Sequence, residues 1–302
     1  MTSESGSVAA SLIADAQAMA DAADARAGIV TRPARTDELE GVLARFEATW
    51  GSGRGPDRSM IQALEHAGNT VLTAVPLAEP ADATSFAEPV EASSIGALPS
   101  PGPGSPAHPD AAAIPLGATL GFLGWNDGVH LHSHMNAVDP AARGRGIGVA
   151  LKLRQRAICL AHGITEMRWT YDPLIRRNAH LNLVRLGAEV IAFHPDFYGE
   201  LRDAITGADH SDRFEVRWRL DAARTVRALA HGPAPEWRAE GGLPLVADFE
   251  HVRSEDPEVA ARLRQASREA FAALAADPRL RVELDAKGDY IFTRDDADRE
   301  AR

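Results

Sequence analysis

The sequence is short of the features that mark secreted, membrane-spanning and disulfide-linked proteins. A single cysteine, Cys159, excludes an intramolecular disulfide and leads us to expect a reducing, cytoplasmic location. No apolar run approaches the roughly 20 residues that a membrane-spanning helix needs, so no membrane partner is expected. The N-terminus also lacks the basic segment and the continuous apolar segment of a signal peptide.

Positive charge is scarce as well. The 302 residues include 32 lysines and arginines against 43 acidic residues, which gives a net charge of -11. A dedicated nucleic-acid-binding protein needs a broad basic surface, so we expect no nucleic-acid partner. Hydrophobic residues make up 45% of the chain, which is enough for the core of one large domain or two modest ones.

Changes in composition divide the chain into three parts. Residues 1–27 are rich in Ala, Ser and Asp and predict either a loose helix or a disordered tail. Residues 28–220 form the main domain, interrupted by an insertion at 76–115 whose Pro, Ala, Ser and Glu content predicts a mobile segment. Residues 221–302 form a C-terminal extension, which we expect either to pack on the main domain or to mediate self-association as a homodimer.

Strand and helix signals alternate within the main domain and predict an α/β fold. Asp127-Gly128 between two apolar runs predicts a β-hairpin. The strands are predicted near 29–32, 70–75, 116–125, 129–138, 165–171, 189–193 and 213–220, and the later helices near 147–162 and 178–186. The extension is predicted to contain a helix near 257–275 and strands near 243–246, 282–284 and 290–292.

A glycine-rich turn, Arg143-Gly144-Arg145-Gly146-Ile147-Gly148, joins the strand that ends at Val138 to an amphipathic helix. Free N–H groups at such a turn converge on one point, where the helix dipole also favours an anion. No acidic residue lies between Asp139 and Glu166, whereas five basic ones do: Arg143, Arg145, Lys152, Arg154 and Arg156. The pattern predicts a phosphate site; the alternative is a tight turn before a helix with a solvated basic face.

Longer motifs give this turn a family resemblance. Arg143-x-x-Gly146-x-Gly148 resembles the acyl-CoA signature Gln/Arg-x-x-Gly-x-Gly/Ala of the GNAT superfamily, over about residues 29–220. Other motifs resemble a bacterial family of predicted GNAT acetyltransferases with a C-terminal extension: Leu131-His132-Ser133-His134-Met135, Trp169-Thr170-Tyr171-Asp172-Pro173-Leu174, Arg177-Asn178-Ala179, Arg185-Leu186-Gly187-Ala188 and Tyr198-Gly199. The resemblance implies a mixed, mostly antiparallel sheet flanked by helices, with a small C-terminal α/β extension.

The same resemblance implies the reaction and the residues that hold the co-substrate. The reaction is transfer of an acyl group from acyl-CoA to the amine of a small molecule or amino acid. Acetyl-CoA is the first donor expected, and another short acyl-CoA is the alternative. Ala137 and Val138 offer backbone groups to the pantetheine arm, and Asn178 either faces that arm or is a plain helix N-cap. The pyrophosphate is held by Arg143, Gly144, Arg145, Gly146, Ile147 and Gly148.

Histidines supply the candidate base. Alternation along the strand 129–138 predicts one polar face, made of His130, His132, His134, Asn136 and Val138. His134 is the first candidate for the group that takes the proton of the amine, and His132 is the second. The alternative is that both are hydrogen-bonded cleft residues with no part in proton transfer.

A general acid is harder to find. The family's usual Tyr, four residues before the glycine that ends the helix after the fifth strand, corresponds here to Leu183. Tyr198 is the candidate substitute; a packed loop aromatic is the alternative. Trp50 and Glu47, at the end of the first main-domain helix, are weaker candidates for contact with the acceptor, against a core Trp and a solvated Glu.

Two other functions compete with the transferase. Leu183 in place of Tyr favours a CoA-binding module without catalysis. His130-x-His132-x-His134 resembles the ligand spacing of a zinc or iron enzyme, but no H-E-x-x-H motif or cysteine pair supplies a further ligand, so no metal site is predicted.

Overall fold

The computed structural model describes residues 2–77, 113–199, 201 and 209–295. Most of the insertion predicted at 76–115 therefore lies outside the described residues. Its C-terminal end, at 113–115, is held against the main domain, because the Arg45 guanidinium donates from Nε to the Pro115 carbonyl oxygen at 2.8 Å.

A seven-stranded sheet forms the centre of the main domain. Its strands are β1 (Ile29–Pro33), β2 (Thr70–Pro76), β3 (Gly117–Gly124), β4 (His130–Val138), β5 (Glu166–Tyr171), β6 (Glu189–His194) and β7 (Arg213–Arg219), in the order β1-β2-β3-β4-β5-β7-β6. Every neighbouring pair is antiparallel except β4 and β5, which run parallel. The predicted fold class, a mixed and mostly antiparallel sheet flanked by helices, is confirmed.

Helices cover both faces of this sheet. They are α1 (Thr2–Ala27), α2 (Leu39–Trp50), α3 (Arg58–His66), α4 (Ile147–Ala161), α5 (Arg176–Ala179), α6 (Ala223–Leu229), α7 (Phe249–Glu255) and α8 (Pro257–Ala276), and α5 continues as a π-helical turn, His180–Arg185. Leu39, Phe46 and Ile61 of α2 and α3 are fully buried against β2, β3 and the end of β4. Helix α4 packs on the opposite face and carries α1 on its outer side.

Helix α1 corrects the expectation of a disordered tail at 1–27. Ala16, Ala20, Ala23 and Ala27 recur at helical spacing and are all buried against α4. Their small side chains allow the two helices to approach closely. The buried carboxylate of Asp24 also accepts hydrogen bonds from the backbone N–H of Thr31 at 2.9 Å and from its hydroxyl at 2.8 Å, which ties α1 to β1.

The extension packs on the edge of the main sheet, as one of its two predicted alternatives requires. It contains a second sheet of three strands, β8 (Gly241–Leu243), β9 (Arg281–Leu284) and β10 (Tyr290–Thr293), in the order β8-β10-β9. Phe271 of α8 contacts Phe214 of β7 with ring centroids 4.4 Å apart. Self-association and the domain boundary at 220 stay predictions.

Candidate functional site

The parallel strands β4 and β5 separate soon after they meet. They pair only at Leu131 with Met167 and at His132 with Arg168. Residues 133–138 of β4 and 169–171 of β5 lie beyond this point and do not pair with each other. We call the wedge between these two segments the β4–β5 opening. Backbone groups on its two edges are free to bind a ligand that enters it.

The opening leads to the glycine-rich turn. After the 3-10 turn Pro140–Ala142, Gly144 and Gly146 adopt left-handed backbone angles, with φ of 83° and 88°. A Cβ atom on either glycine would meet nothing within 4 Å, so the glycines are required by the backbone angle and not by crowding. The space beside these two glycines, which lie just before α4, is therefore open, and an anion site at a helix N-terminus needs such access.

Asp139 holds the turn in place. Its carboxylate accepts from the backbone N–H of Ala141 at 2.9 Å and pairs with Arg45 of α2 at 2.6 Å. These two contacts lower the pKa of the Asp139 carboxyl, the bond from Ala141 most of all. No motif singles out Arg45, which lies 94 residues before Asp139 in the chain.

The prediction of a basic patch around the turn is largely wrong. Arg143 is exposed at the turn, and Arg145 donates to the Ala27 carbonyl oxygen at 2.6 Å. The three basic residues further along α4 bind neighbouring elements: Arg154 pairs with Asp21 and Asp24, Arg156 donates to the Leu220 carbonyl oxygen, and Lys152 is buried. Because α4 lies between α1 and the sheet, the two arginines hold neighbouring elements together, and none of the three side chains belongs to a solvated face.

Two asparagines lie near the opening. Asn136 of β4 donates from Nδ2 to the Gly148 carbonyl oxygen at 3.2 Å, and its buried Oδ1 has no hydrogen-bond partner among the described residues. An unsatisfied buried acceptor of this kind suits a ligand that brings an N–H group. Asn178 is half-buried in α5, whose N-cap is Ile175, so the alternative of Asn178 as a helix N-cap is wrong.

A β-bulge in β4 changes the predicted polar face. Leu120 of β3 is paired with Met135, but the next residue, Gly121, is paired with Ser133, so His134 is an extra residue in β4. The side chains therefore change faces: Ser133 faces α4, and Met135 joins the core on the α2 side. Asn136 and Val138 contact α4 through Gly148 and so do not share a face with His132, contrary to the prediction.

Two of the three strand histidines stay together on the side away from α4. The rings of His132 and His134 have centroids 6.0 Å apart, and both contact Phe122. Burial lowers the pKa of His132 to about 4, with further contributions from His134, His130 and Lys152. Although His134 is exposed, desolvation by the surrounding protein lowers its pKa as well. Both rings are therefore neutral at neutral pH and able to accept a proton.

His130 does not belong to this pair. Its side chain is buried, and its Nδ1 lies 3.0 Å from the Gly128 carbonyl oxygen in the hairpin turn. Within residues 2–77, 113–199, 201 and 209–295, no group of three His, Cys, Asp or Glu side chains is arranged to hold a metal ion.

Tyr198 lies on the β5 side of the opening. Its exposed ring places the hydroxyl 3.1 Å from the Thr170 hydroxyl of β5, and the Arg213 guanidinium lies over the ring at 5.4 Å from its centroid. Tyr171, in contrast, is buried and its hydroxyl meets that of Tyr290 at 3.2 Å. Burial raises the pKa of Tyr171, so this residue is a core side chain and not a proton donor.

The other candidates named from the sequence make structural contacts. Leu183 is buried in the core. Trp50 is half-buried against Phe46, with ring centroids 6.0 Å apart. The Glu47 carboxylate accepts from the Gly53 backbone N–H at 3.2 Å and so supports the end of α2.

A buried arginine that sequence reasoning did not single out supports the segment after β5. Arg264 of α8 is 1% exposed and binds both carboxylate oxygens of Asp172 at 2.8 Å. It also pairs with Asp209 at 2.6 Å. Asp172 follows β5 directly and precedes α5, so the extension fixes the path of the chain towards Asn178.

Comparison with known proteins gives structural likeness without close sequence similarity. No protein-family model matches the chain, and no curated protein matches it. Among solved structures it is similar to yncA, a putative acetyltransferase from Salmonella typhimurium with its cofactor acetyl-CoA (15% identity, covering 64% of this chain and 95% of that one, TM-score 0.42). It is also similar to an N-acetyltransferase from Staphylococcus aureus (12% identity, covering 64% of this chain and 99% of that one, TM-score 0.41). A third similar structure is a putative GNAT-family acetyltransferase from Desulfovibrio desulfuricans (16% identity, covering 64% of this chain and 99% of that one, TM-score 0.38). At these identities and TM-scores the likeness assigns neither a family nor a substrate to this chain.

In the part of the chain that the structure describes, no helix is both long enough and apolar enough to cross a membrane.

Proposed function

We propose that this chain is a GNAT-type N-acyltransferase, which transfers an acyl group from acyl-CoA to the amine of a small molecule or amino acid. Acetyl-CoA is the first choice of donor. The observation that supports this most is the β4–β5 opening, which runs along 133–138 to the left-handed glycine turn at the start of α4. An extended arm with two amide groups suits free strand edges, and a pyrophosphate suits the N–H groups of the turn.

The residues along the opening fit such a co-substrate. Ala137 and Val138 provide backbone groups for the pantetheine arm, and the orphan Oδ1 of Asn136 provides an acceptor for one of its amide N–H groups. The turn 143–148 holds the pyrophosphate, with exposed Arg143 beside it. Arg145 contributes through its backbone, since its guanidinium is bonded to the end of α1. Asn178 is the candidate contact from α5.

The bulge and the histidines provide the chemistry. A bulge leaves the extra residue out of the strand ladder, so the backbone at His134 is available to polarise the thioester carbonyl. As the amine attacks this carbonyl, a neutral His134 takes its proton, directly or through water. His132 is the weaker candidate, because a pKa of about 4 makes it a poor base. Tyr198, on the β5 side, is the sequence-based candidate for protonating the leaving sulfur.

A CoA-binding module without catalysis is the second candidate function. Leu183, which occupies the position of the family's usual Tyr, is buried and cannot supply a proton. A module of this kind would bind CoA without releasing thiol from acyl-CoA, so a turnover assay decides between the two functions.

The first experiment measures CoA binding by calorimetry in wild type, Gly146→Ala and Gly146→Asp. Both variants impose a side chain on the same left-handed residue, and Asp tolerates that backbone better than Ala. Only Asp adds negative charge where the pyrophosphate is proposed to bind, so it should weaken binding roughly tenfold or more beyond Ala. Equal affinities of the two variants would contradict the phosphate assignment.

The second experiment measures turnover. Acetyl-CoA and succinyl-CoA are each incubated with a panel of small amines, amino acids and peptide N-termini, and released thiol is followed over time. Thiol release that depends on one class of amine supports the transferase and identifies the acceptor class. Tight CoA binding with no release above the amine-free control supports the module instead.

A further inference from the structure

Lysine is nearly absent from this chain, and one of its lysines is buried. Of the 32 lysines and arginines in the sequence, only Lys152 and Lys287 are lysines. Lys152 lies in α4 and is 4% exposed, whereas Lys287 is exposed in the turn between β9 and β10. Arginine stays charged in proteins, but lysine readily loses its proton when buried. The chain therefore places a basic group that is able to deprotonate at one interior position.

The Lys152 amine lies where the two parallel strands part. Its Nζ donates to the Ser133 hydroxyl oxygen at 2.7 Å and lies 3.8 Å from the centroid of the Trp169 ring. Ser133 is the first residue of β4 beyond the last paired position, and Trp169 is the first residue of β5 beyond it. The amine thus stands at the base of the β4–β5 opening, on the face of the sheet that packs against α4.

The surroundings of this amine leave most of its hydrogen-bonding capacity unused. Within the described residues its hydrogen bond is the one to Ser133, and no carboxylate pairs with it. The Ser133 hydroxyl in turn donates to Gln155 Oε1 at 2.7 Å, and Gln155 Nε2 donates to the Thr70 hydroxyl at 2.9 Å. An ammonium group has three N–H donors, and burying one with a single hydrogen bond is costly. The remaining capacity of the amine is available to a ligand that enters the β4–β5 opening.

We propose that Lys152 is a catalytic residue of the acyl transfer, which protonates the CoA sulfur as the thioester bond breaks. The proposal rests on the proposed function and extends it. The amine nitrogen of the acceptor forms a bond to the acyl carbon, and the carbon–sulfur bond breaks with its electron pair on sulfur. The proton of the Lys152 ammonium goes to that sulfur, and the surplus proton of the acceptor goes to His134. The products are the amide and CoA thiol, and exchange with water restores both side chains.

The acidity of Lys152 suits this step. Burial lowers its pKa to about 7, an effect opposed by the Cys159 thiol on the same helix. An ordinary thiol has a pKa of about 8.5, so transfer from this ammonium to a thiolate is downhill. The titratable groups on the facing strand are His132 and His134 of β4, and the pKa values of both are lowered, so neither adds a charge at neutral pH.

The first test compares CoA with desulfo-CoA, which lacks only the sulfur, by calorimetry at pH 8. A hydrogen bond between Lys152 and the thiol should favour CoA by roughly fivefold, the effect of one net hydrogen bond. Lys152→Met should lose this preference while keeping wild-type affinity for desulfo-CoA. Lys287→Met, the matched control, should keep the preference. An undiminished preference for CoA in a folded Lys152→Met protein would overturn the proposal.

The second test compares acetyl-CoA with acetyl-seleno-CoA, using one equimolar amine mixture as acceptor. A selenolate is a weaker base than a thiolate and leaves without needing a proton. Lys152→Met should therefore lower the rate roughly 10²-fold with the thioester and much less with the selenoester. Lys287→Met, the matched control, should keep the wild-type rate with either donor. Equal losses with both donors in Lys152→Met would show a structural role and would overturn the proposal.

Two further controls separate the possible failures. Lys152→Gln, which keeps a donor for Ser133 but has no proton to transfer, replaces Lys152→Met if that protein does not fold. A wild type that binds neither CoA nor desulfo-CoA overturns the proposed function together with this inference. A wild type that binds and turns over, with Lys152→Met matching it in both tests, overturns this inference alone.

Discussion

Replacing Lys152 with methionine should make the protein more stable at neutral pH, although the change removes a hydrogen bond. Burial lowers the pKa of Lys152 from 10.5 to about 7. One pKa unit corresponds to about 1.4 kcal/mol, so the buried ammonium costs on the order of 5 kcal/mol at low pH. Losing the contacts with Ser133 and Trp169 costs about 2–3 kcal/mol. The net gain of about 2 kcal/mol corresponds to a rise in Tm of about 5 °C.

The sign of the pH dependence follows from the direction of the shift. Between the folded pKa of about 7 and the ordinary value of 10.5, the unfolded chain binds a proton at Lys152 that the folded chain does not. The cost of burying the charge is therefore fully present below pH 7 and disappears as the pH rises towards 10.5. The stability advantage of Lys152→Met over wild type should be largest at pH 6 and should shrink at pH 9.

Urea unfolding of both proteins at pH 6, 7.5 and 9 measures this advantage, with Lys287→Met as the control for the loss of a lysine. Since the chain has two lysines, selective 13C labelling of lysine gives two NMR signals, and Lys287→Met identifies one of them. The remaining signal reports the protonation of Lys152 directly. An advantage that stays constant across this pH range, or a Lys152 signal that titrates near 10.5, would refute the reasoning about burial.

Three further predictions concern the base, the extension and the insertion. His134→Ala should lower turnover roughly 10²-fold. It should also remove the acid limb from the pH profile of kcat/KM, which in wild type lies below the ordinary imidazole pKa of 6.5, whereas His130→Ala should keep that limb. An unchanged pH profile in His134→Ala would exclude it as the base. Arg264→Met should lower the free energy of unfolding by about 3 kcal/mol, as urea titration would measure, because it leaves the carboxylates of Asp172 and Asp209 with the longer ion pairs to Arg253, at 3.8 and 3.5 Å. Replacing 78–112, outside the described residues, with a short Gly-Ser linker should leave Tm nearly unchanged, and a large drop would contradict the composition argument.

The sequence was most informative where a property depends on neighbouring residues. Asp127-Gly128 predicts a hairpin, and both residues do adopt positive φ angles, of 54° and 105°. The turn 143–148 likewise follows from glycine chemistry, and the structure places left-handed backbone at Gly144 and Gly146. Each of these features needs only the conformational freedom of residues that stand side by side in the chain.

The predictions failed where the outcome depends on distant partners or on one extra residue. Strict alternation assumes an uninterrupted strand, and the bulge at His134 changes the face of every residue after it. A count of charges along α4 could not show that Arg154 pairs with Asp21 and Asp24, because those carboxylates belong to a helix more than 120 residues away. The small alanines of α1 indicate little by themselves and acquire their role by fitting against α4.

The bulge also explains how the two proposed proton transfers are kept apart. Before it, alternation places Ser133 on the face of the sheet that carries Lys152, with His132 on the other face. The extra residue adds His134 next to His132, so both histidines line the face away from α4. A thioester lying in the opening between β4 and β5 would therefore meet a neutral imidazole on one side of the sheet and an ammonium on the other. A base and an acid in direct contact would neutralise each other, whereas two groups separated by the plane of the sheet can each hold the protonation state that acyl transfer requires.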